Sequence, residues 1–156
     1  MVSFTQMERR ASLGLASVFS LRMFGLFVIL PVIALYANNM PGGESATLIG
    51  LAVGVYGLTQ AIFQIPLGRL SDFWGRKRTI YLGLVIFIIG SFLAAIADSL
   101  LWLCLGRAIQ GAGAVSSAVI ALNADLTRDE VRTKSMAIIG VTIGLTFILS
   151  IVLGPV

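Results

Sequence analysis

The chain has 156 residues, 58% of them hydrophobic and only 12% charged, with a formal net charge of +4 and a mean hydropathy of +0.99. A soluble domain carries about a quarter of its residues as charge, so this composition excludes a water-soluble globule and makes lipid the solvent. With no histidine and one cysteine, Cys104, an internal disulfide and a histidine- or cysteine-based metal cluster are excluded as well, and neither a metal nor a cofactor is expected.

A hydrocarbon core of about 30 Å takes roughly 20 apolar residues per helix, which leaves room for about five spans. Residues 1–12 form a polar N-terminal segment. The apolar run that follows, 13–37, is too long for a secretory leader and lacks its cleavage pattern, so it reads as span one, with Arg22 inside it. A polar turn at 38–45 contains Pro41, Gly42 and Gly43. Span two, 47–67, carries Gly50, Gly54, Gly57 and Ala61 at helical spacing, a strip that predicts close approach of another helix, and places Gln60 and Gln64 one turn apart.

The stretch 68–80 reads G-R-L-S-D-F-W-G-R-K-R-T-I. It predicts a tight polar loop over 68–78, with spans two and three antiparallel and close together. Span three is 79–97. Asp98 and Ser99 leave so short a turn that spans three and four must be neighbours. Span four is 101–122, a second polar loop occupies 123–134, and span five, 135–156, has Gly140 and Gly144 four apart. No polar residue marks the far end of that last run, so the sequence is expected to belong to a longer chain.

Of the 11 basic residues, Arg9, Arg10, Arg69, Arg76, Lys77, Arg78, Arg128, Arg132 and Lys134 all flank the N-terminal segment or the loops after spans two and four. None lies in the turns after spans one and three. By the positive-inside rule the N-terminus and the loops 68–78 and 123–134 are cytoplasmic. Trp74 and Tyr81 fall at the inner boundary, Tyr36 and Trp102 at the outer, as interfacial anchors do. The basic residues thus follow membrane side, and no nucleic-acid partner is expected.

The remaining two cations, Arg22 and Arg107, lie inside spans. A central arginine costs about 2.5–3.5 kcal/mol on insertion scales and usually faces a cavity or a partner. At about 1.5 Å per residue, Arg22 sits near the midplane and Arg107 roughly 9 Å from the outer boundary; for Arg107 a side chain reaching to the interface is the alternative. Both occupy the first half of spans that run in opposite directions, as inverted repeats would place them and as two unrelated arginines also would. Gln60, Gln64 and Asn123 join them as substrate-facing candidates, with hydrogen bonding between helices as the other reading of the glutamines.

The 68–80 stretch resembles the loop signature of the major facilitator superfamily, G-x-L-a-D-r-x-G-R-[RK], in Gly68, Leu70, Asp72, Gly75, Arg76 and Lys77, although Phe73 stands where a basic residue is common. The segment L-C-L-G-R-A-I-Q-G-A-G-A at 103–114 is similar to the fourth-helix signature of proton-coupled members in Arg107, Gln110, Gly111 and Gly113. Span five resembles the antiporter signature g-x-x-x-G-P-x-x-G in Gly154 and Pro155, with Ser150 in place of the first glycine.

The resemblance implies an all-α membrane protein, five helices of the N-terminal six-helix half of that fold. It implies a secondary transporter of the drug:proton antiporter branch in a bacterial inner membrane, working by alternating access with a small-molecule substrate, the proton as coupling ion and a C-terminal half as partner. Arg107 would hold down the pKa of a nearby carboxylate or exchange partners with it. None of the five spans contains an internal Asp or Glu, so that acid is expected from the remainder of the protein. Asp72 and Arg76 would belong to a cytoplasmic latch, Asp72 accepting from the N-terminus of a facing helix and Arg76 pairing with Asp125.

Two rivals stay open. Two intramembrane arginines without an acid suit uptake or exchange of a small anion, and a helical scaffold that transports nothing is the other. No His-Glu-x-x-His or Gly-x-Ser-x-Gly pattern occurs, so an enzyme is not expected.

Overall fold

The computed structural model describes residues 3–154, and among them every regular element is helical. Helix α1 is Gln6–Tyr36, followed by a 3-10 turn at Ala37–Asn39. Then come α2 (Ala46–Trp74), α3 (Arg76–Ala95), α4 (Leu100–Ala112), α5 (Ser116–Leu126) and α6 (Asp129–Leu153). Three of the helix starts carry oxygen caps: Thr5 accepts from Glu8 N, Ser45 from Leu48 N and Ser99 from Trp102 N. Each cap satisfies an amide that the first turn leaves without a helical partner.

Helices run past the apolar stretches that predicted them. The polar loop expected over 68–78 is nearly all helical, since α2 continues to Trp74 and α3 starts at Arg76. The turn is Gly75 alone, at φ +101°, a backbone conformation that side-chain-bearing residues avoid. The second expected loop, 123–134, shrinks likewise to Thr127 and Arg128 between α5 and α6. Asp129 and Glu130 in the first turn of α6 suit the positive end of its dipole.

Span four, expected as one helix over 101–122, is two helices broken at 113–115. Here three backbones crowd together. A Cβ on Gly113 would stand 2.4 Å from Gly83 O, and one on Gly111 would stand 2.2 Å from Tyr56 O. Along the same seam, Cβ atoms on Gly90 and Gly106 would meet Gln110 N at 2.3 Å and Ala94 N at 2.6 Å. Helix α4 is therefore wedged between α2 and α3, packing on both. Spans three and four are neighbours, as the two-residue turn required. Spans two and three join at Gly75 but do not lie side by side along their length, because α4 comes between them.

The other main packing is α1 on α6, with α5 touching α1, α2, α3 and α6. One apolar cluster, including Phe19, Val115, Val119 and Ile139, holds α1, α5 and α6 together. A second, including Ile33, Ala52, Leu100 and Leu103, closes the opposite end. Among the described residues the glycine strip predicted as a contact face on α2 has no neighbour: Cβ atoms on Gly50, Gly54 and Gly57 would meet nothing within 4 Å, and Ala61 is exposed. Gly140 and Gly144 of α6 are equally bare.

Candidate functional site

Five helices bring a polar cluster to the centre of the bundle. Arg22 of α1 and Arg107 of α4 are buried, 1% and 0% exposed, and their guanidinium carbons lie 5.9 and 4.9 Å from the centroid of one ring, Tyr56 of α2. Arg22 is also 5.8 Å from the Phe87 ring centroid. It donates through Nη1 to Ser116 Oγ at 3.2 Å and through Nη2 to Gln60 Oε1 at 3.3 Å. Arg107 donates through Nε to Ala52 O at 3.2 Å and through Nη1 to Gln110 Oε1 at 3.1 Å. Gln110 Nε2 passes the chain on to Ser91 Oγ at 2.8 Å.

Local sequence explains the convergence. Ala52, Tyr56 and Gln60 recur every fourth residue, so they share one face of α2, and the glycines of α4 let Arg107 come in against that face. Cation–π contact contributes about 0.5–2 kcal/mol per pair when desolvated. Rings and carbonyls thus offset part of the cost of burial. All seven carboxylates of the chain, Glu8, Glu44, Asp72, Asp98, Asp125, Asp129 and Glu130, lie at helix ends or in turns. Three buried atoms of the cluster, Arg22 Nε, Arg107 Nη2 and Tyr56 Oη, have no hydrogen-bond partner among the described residues.

The other expected site residues fall in separate places. Gln64 reaches this region through its backbone alone, as acceptor from Ser117 Oγ at 3.3 Å. The fold does not bring Asn123 to the arginines. It is fully buried in a network joining α1, α5 and α6, accepting from Ser135 Oγ at 2.5 Å, with Ser135 Oγ 2.6 Å from Ser12 Oγ. Ser150 is buried and donates to Thr146 O at 2.7 Å. Gly154 closes α6 on α1, where a Cβ would stand 2.5 Å from Pro31 Cγ. Pro155 lies outside the described residues.

At the Gly75 end, Arg76 gathers three partners: Asp72, Ser71 Oγ at 2.8 Å and Asp125 Oδ2 at 3.3 Å. Gly68 lies against α5, its Cβ position 3.2 Å from Ser117 Oγ. Lys77 is exposed and stands outside this group.

Sequence reasoning missed a fourth cluster. Glu8, ahead of the apolar run of α1, takes Arg128 in a two-point ion pair, Nε to Oε1 at 2.8 Å and Nη2 to Oε2 at 3.0 Å, and also accepts from Arg128 N at 3.1 Å. The same carboxylate accepts from Thr5 N at 2.8 Å, completing a capping box. Arg128 and the Thr5 amide hold the Glu8 carboxyl well below the usual carboxylate range. The Thr5-x-x-Glu8 spacing was a readable signal; a partner 120 residues away was not.

Five segments are long and apolar enough to cross a membrane: 6–33, α2, α3, the α4–α5 pair and α6. With a core of buried arginines they define a multi-pass helical membrane protein. The sequence matches the Major Facilitator Superfamily over residues 14–156, and the chain belongs to that family. It is 56% identical over 149 residues to the inner membrane transport protein YajR of Escherichia coli K12, covering 96% of this chain and 33% of that protein. An uncharacterized transporter of Buchnera aphidicola subsp. Schizaphis graminum is 48% identical over 149 residues, 96% of this chain and 38% of its own length. The quinolone resistance protein NorA of Staphylococcus aureus (strain Mu50) is 31% identical over 127 residues, 80% of this chain and 32% of NorA. The chain thus spans about a third of the length of these relatives.

Proposed function

We propose that this chain is part of a secondary transporter that works by alternating access and exports small molecules in exchange for protons across a bacterial inner membrane. The observation that carries the reading is the pair of buried guanidiniums sharing the Tyr56 ring, with polar atoms unpartnered among the described residues and every carboxylate of the chain at a helix end or in a turn. A guanidinium in that position lowers the pKa of an acid brought against it. An acid that meets and leaves the pair as the protein changes shape would bind and release a proton. The name of YajR, a transport protein, supports transport, and that of NorA, a quinolone resistance protein, supports export as its direction. On this reading the N-terminus and the Gly75 turn face the cytoplasm, and the Asp72–Arg76–Asp125 group is a contact that forms and breaks as the protein rocks.

The test uses the full-length protein in proteoliposomes, with an imposed pH gradient and a fluoroquinolone as probe. Flux should follow the gradient, and Arg107→Met should reduce gradient-driven flux to background while the protein still unfolds cooperatively on heating. Flux indifferent to the gradient would overturn proton coupling. The same absence of an acid beside the arginines favours a second reading, exchange of small organic anions. In that case an anion on the far side of the membrane would accelerate flux and a pH gradient would not.

A further inference from the structure

Arg107 engages two of its three nitrogens within the described residues. Nε donates to Ala52 O at 3.2 Å and Nη1 to Gln110 Oε1 at 3.1 Å, while Nη2 is buried and has no partner there. A guanidinium carries donors only, so the group that faces Nη1 has to be an acceptor. Gln110 could present either end of its amide, and the Nε2 end would set donor against donor. What decides between them lies behind the amide, on α3. Ser91 Oγ stands 2.8 Å from Gln110 Nε2 and donates its own proton to Phe87 O at 2.8 Å. With that proton committed to a carbonyl one turn back, the hydroxyl can only accept from Gln110. Nε2 therefore turns to Ser91 and Oε1 to Arg107. Backbone contact fixes the spacing: a Cβ on Gly90 would stand 2.3 Å from Gln110 N, so α3 and α4 touch beside Ser91.

We propose, resting on the proton-exchange reading above, that Ser91 is a positioning residue for Arg107. By orienting the Gln110 amide it fixes the guanidinium and leaves Nη2 as the edge presented to the coupling acid. Ala52 O and Gln110 Oε1 hold the other two nitrogens, so an incoming carboxylate meets one placed donor in place of a mobile fork. Charge-assisted hydrogen bonds of this kind are strong only when donor and acceptor are aligned. Without the Ser91 hydroxyl the amide is free to turn Nε2 toward Arg107, and the guanidinium loses its hold at Nη1. The identity of the group that meets Nη2 depends on the proton-exchange reading; the orientation of Arg107 depends on the hydrogen bonds alone.

The experiment follows the Nε–H group of Arg107 by proton–nitrogen NMR of the full-length protein in nanodiscs, its signal assigned by loss in Arg107→Lys. Gradient-driven flux in proteoliposomes is measured alongside. Ser91→Ala should speed exchange of that proton with water about tenfold, the effect of roughly one hydrogen bond, and should lower flux by a similar factor. Ser91→Thr keeps a hydroxyl that can bond the carbonyl one turn back, and Ser91 borders a cavity of about 340 Å³ that has space for the added methyl; both readouts should return to wild type. Gln110→Leu should reproduce the effect of Ser91→Ala, and adding Ser91→Ala to it should change neither readout further, because Ser91 acts through the amide. Effects of the two substitutions that multiply would make Ser91 a packing residue of α3 and overturn its positioning role. Exchange unchanged in Ser91→Ala, or raised equally in Ser91→Ala and Ser91→Thr, would do the same. Wild-type flux indifferent to the pH gradient, with the exchange pattern as expected, would instead sink the coupling reading and support the orientation of Arg107 by Ser91.

Discussion

Arg107 and Arg76 show two ways in which one chain holds an arginine. At the Gly75 end, Arg76 pairs with two carboxylates that are more than half exposed, where water screens the attraction and an ion pair contributes about 0.2–1 kcal/mol. At the centre of the bundle, Arg107 is sealed from solvent and held by an aromatic face, a helix carbonyl and a glutamine. The first arrangement is inexpensive to break and remake. The second is specific, because every group around it is placed by close helix packing. A contact that changes with conformation belongs at the first kind of place, and a fixed charge at the second.

The largest effect should come from removing that packing. Gly111→Val puts a Cβ 2.2 Å from Tyr56 O, where backbone cannot yield cheaply, and should destabilise the full-length protein by about 3 kcal/mol in thermal unfolding. An unchanged melting temperature would mean that α4 does not sit against α2 as described. Tyr56→Leu, which removes the ring shared by both guanidiniums, should cost about 2 kcal/mol. Tyr56→Phe should cost little by comparison, since the hydroxyl has no partner to lose; equal losses in the two variants would show that the hydroxyl, and not the ring, holds the arginines.

Glu8 sharpens the contrast, being a charged pair outside the apolar run that is nevertheless only 5% exposed. Its carboxyl is held below the usual range by Arg128. Its stabilisation is therefore complete above pH 4.5, the ordinary value, and is lost as the pH falls and the carboxylate takes up a proton. Glu8→Gln should flatten that acid-side loss in a pH series of melting temperatures, and an unaltered profile would remove Glu8 from the account. The smallest effect belongs to Asp125→Asn, no more than about 1 kcal/mol and diminished by salt. A larger, salt-independent loss would erase the distinction between the two kinds of arginine site.

Much of this was legible in the residues. Five apolar runs and the two-residue turn at Asp98 and Ser99 follow from hydropathy and spacing, and the pairing of Arg76 with Asp125 was expected from the family resemblance of the 68–80 stretch. Glycine was harder to read. Gly50, Gly54 and Gly57 look like a packing strip and face no other described helix, while Gly83, Gly90, Gly106, Gly111 and Gly113 form the seam where three backbones meet. A glycine lowers the cost of close approach equally on any face, and only the neighbours decide which approach occurs. The same holds for Asn123, read as the first residue of a polar loop, whose partners Ser135 and Ser12 are brought to it by helix packing.

By itself the sequence determined the solvent, the number of spans, their order and the presence of two arginines inside spans, because each depends on the hydropathy and length of a continuous segment. Only the tertiary structure decided that Arg22 and Arg107 share Tyr56, that Glu8 takes Arg128, and that span four breaks at 113–115. These depend on contacts between helices distant in the chain, set by how side chains and bare backbones fit together, and no local property of a segment encodes which distant partner it meets.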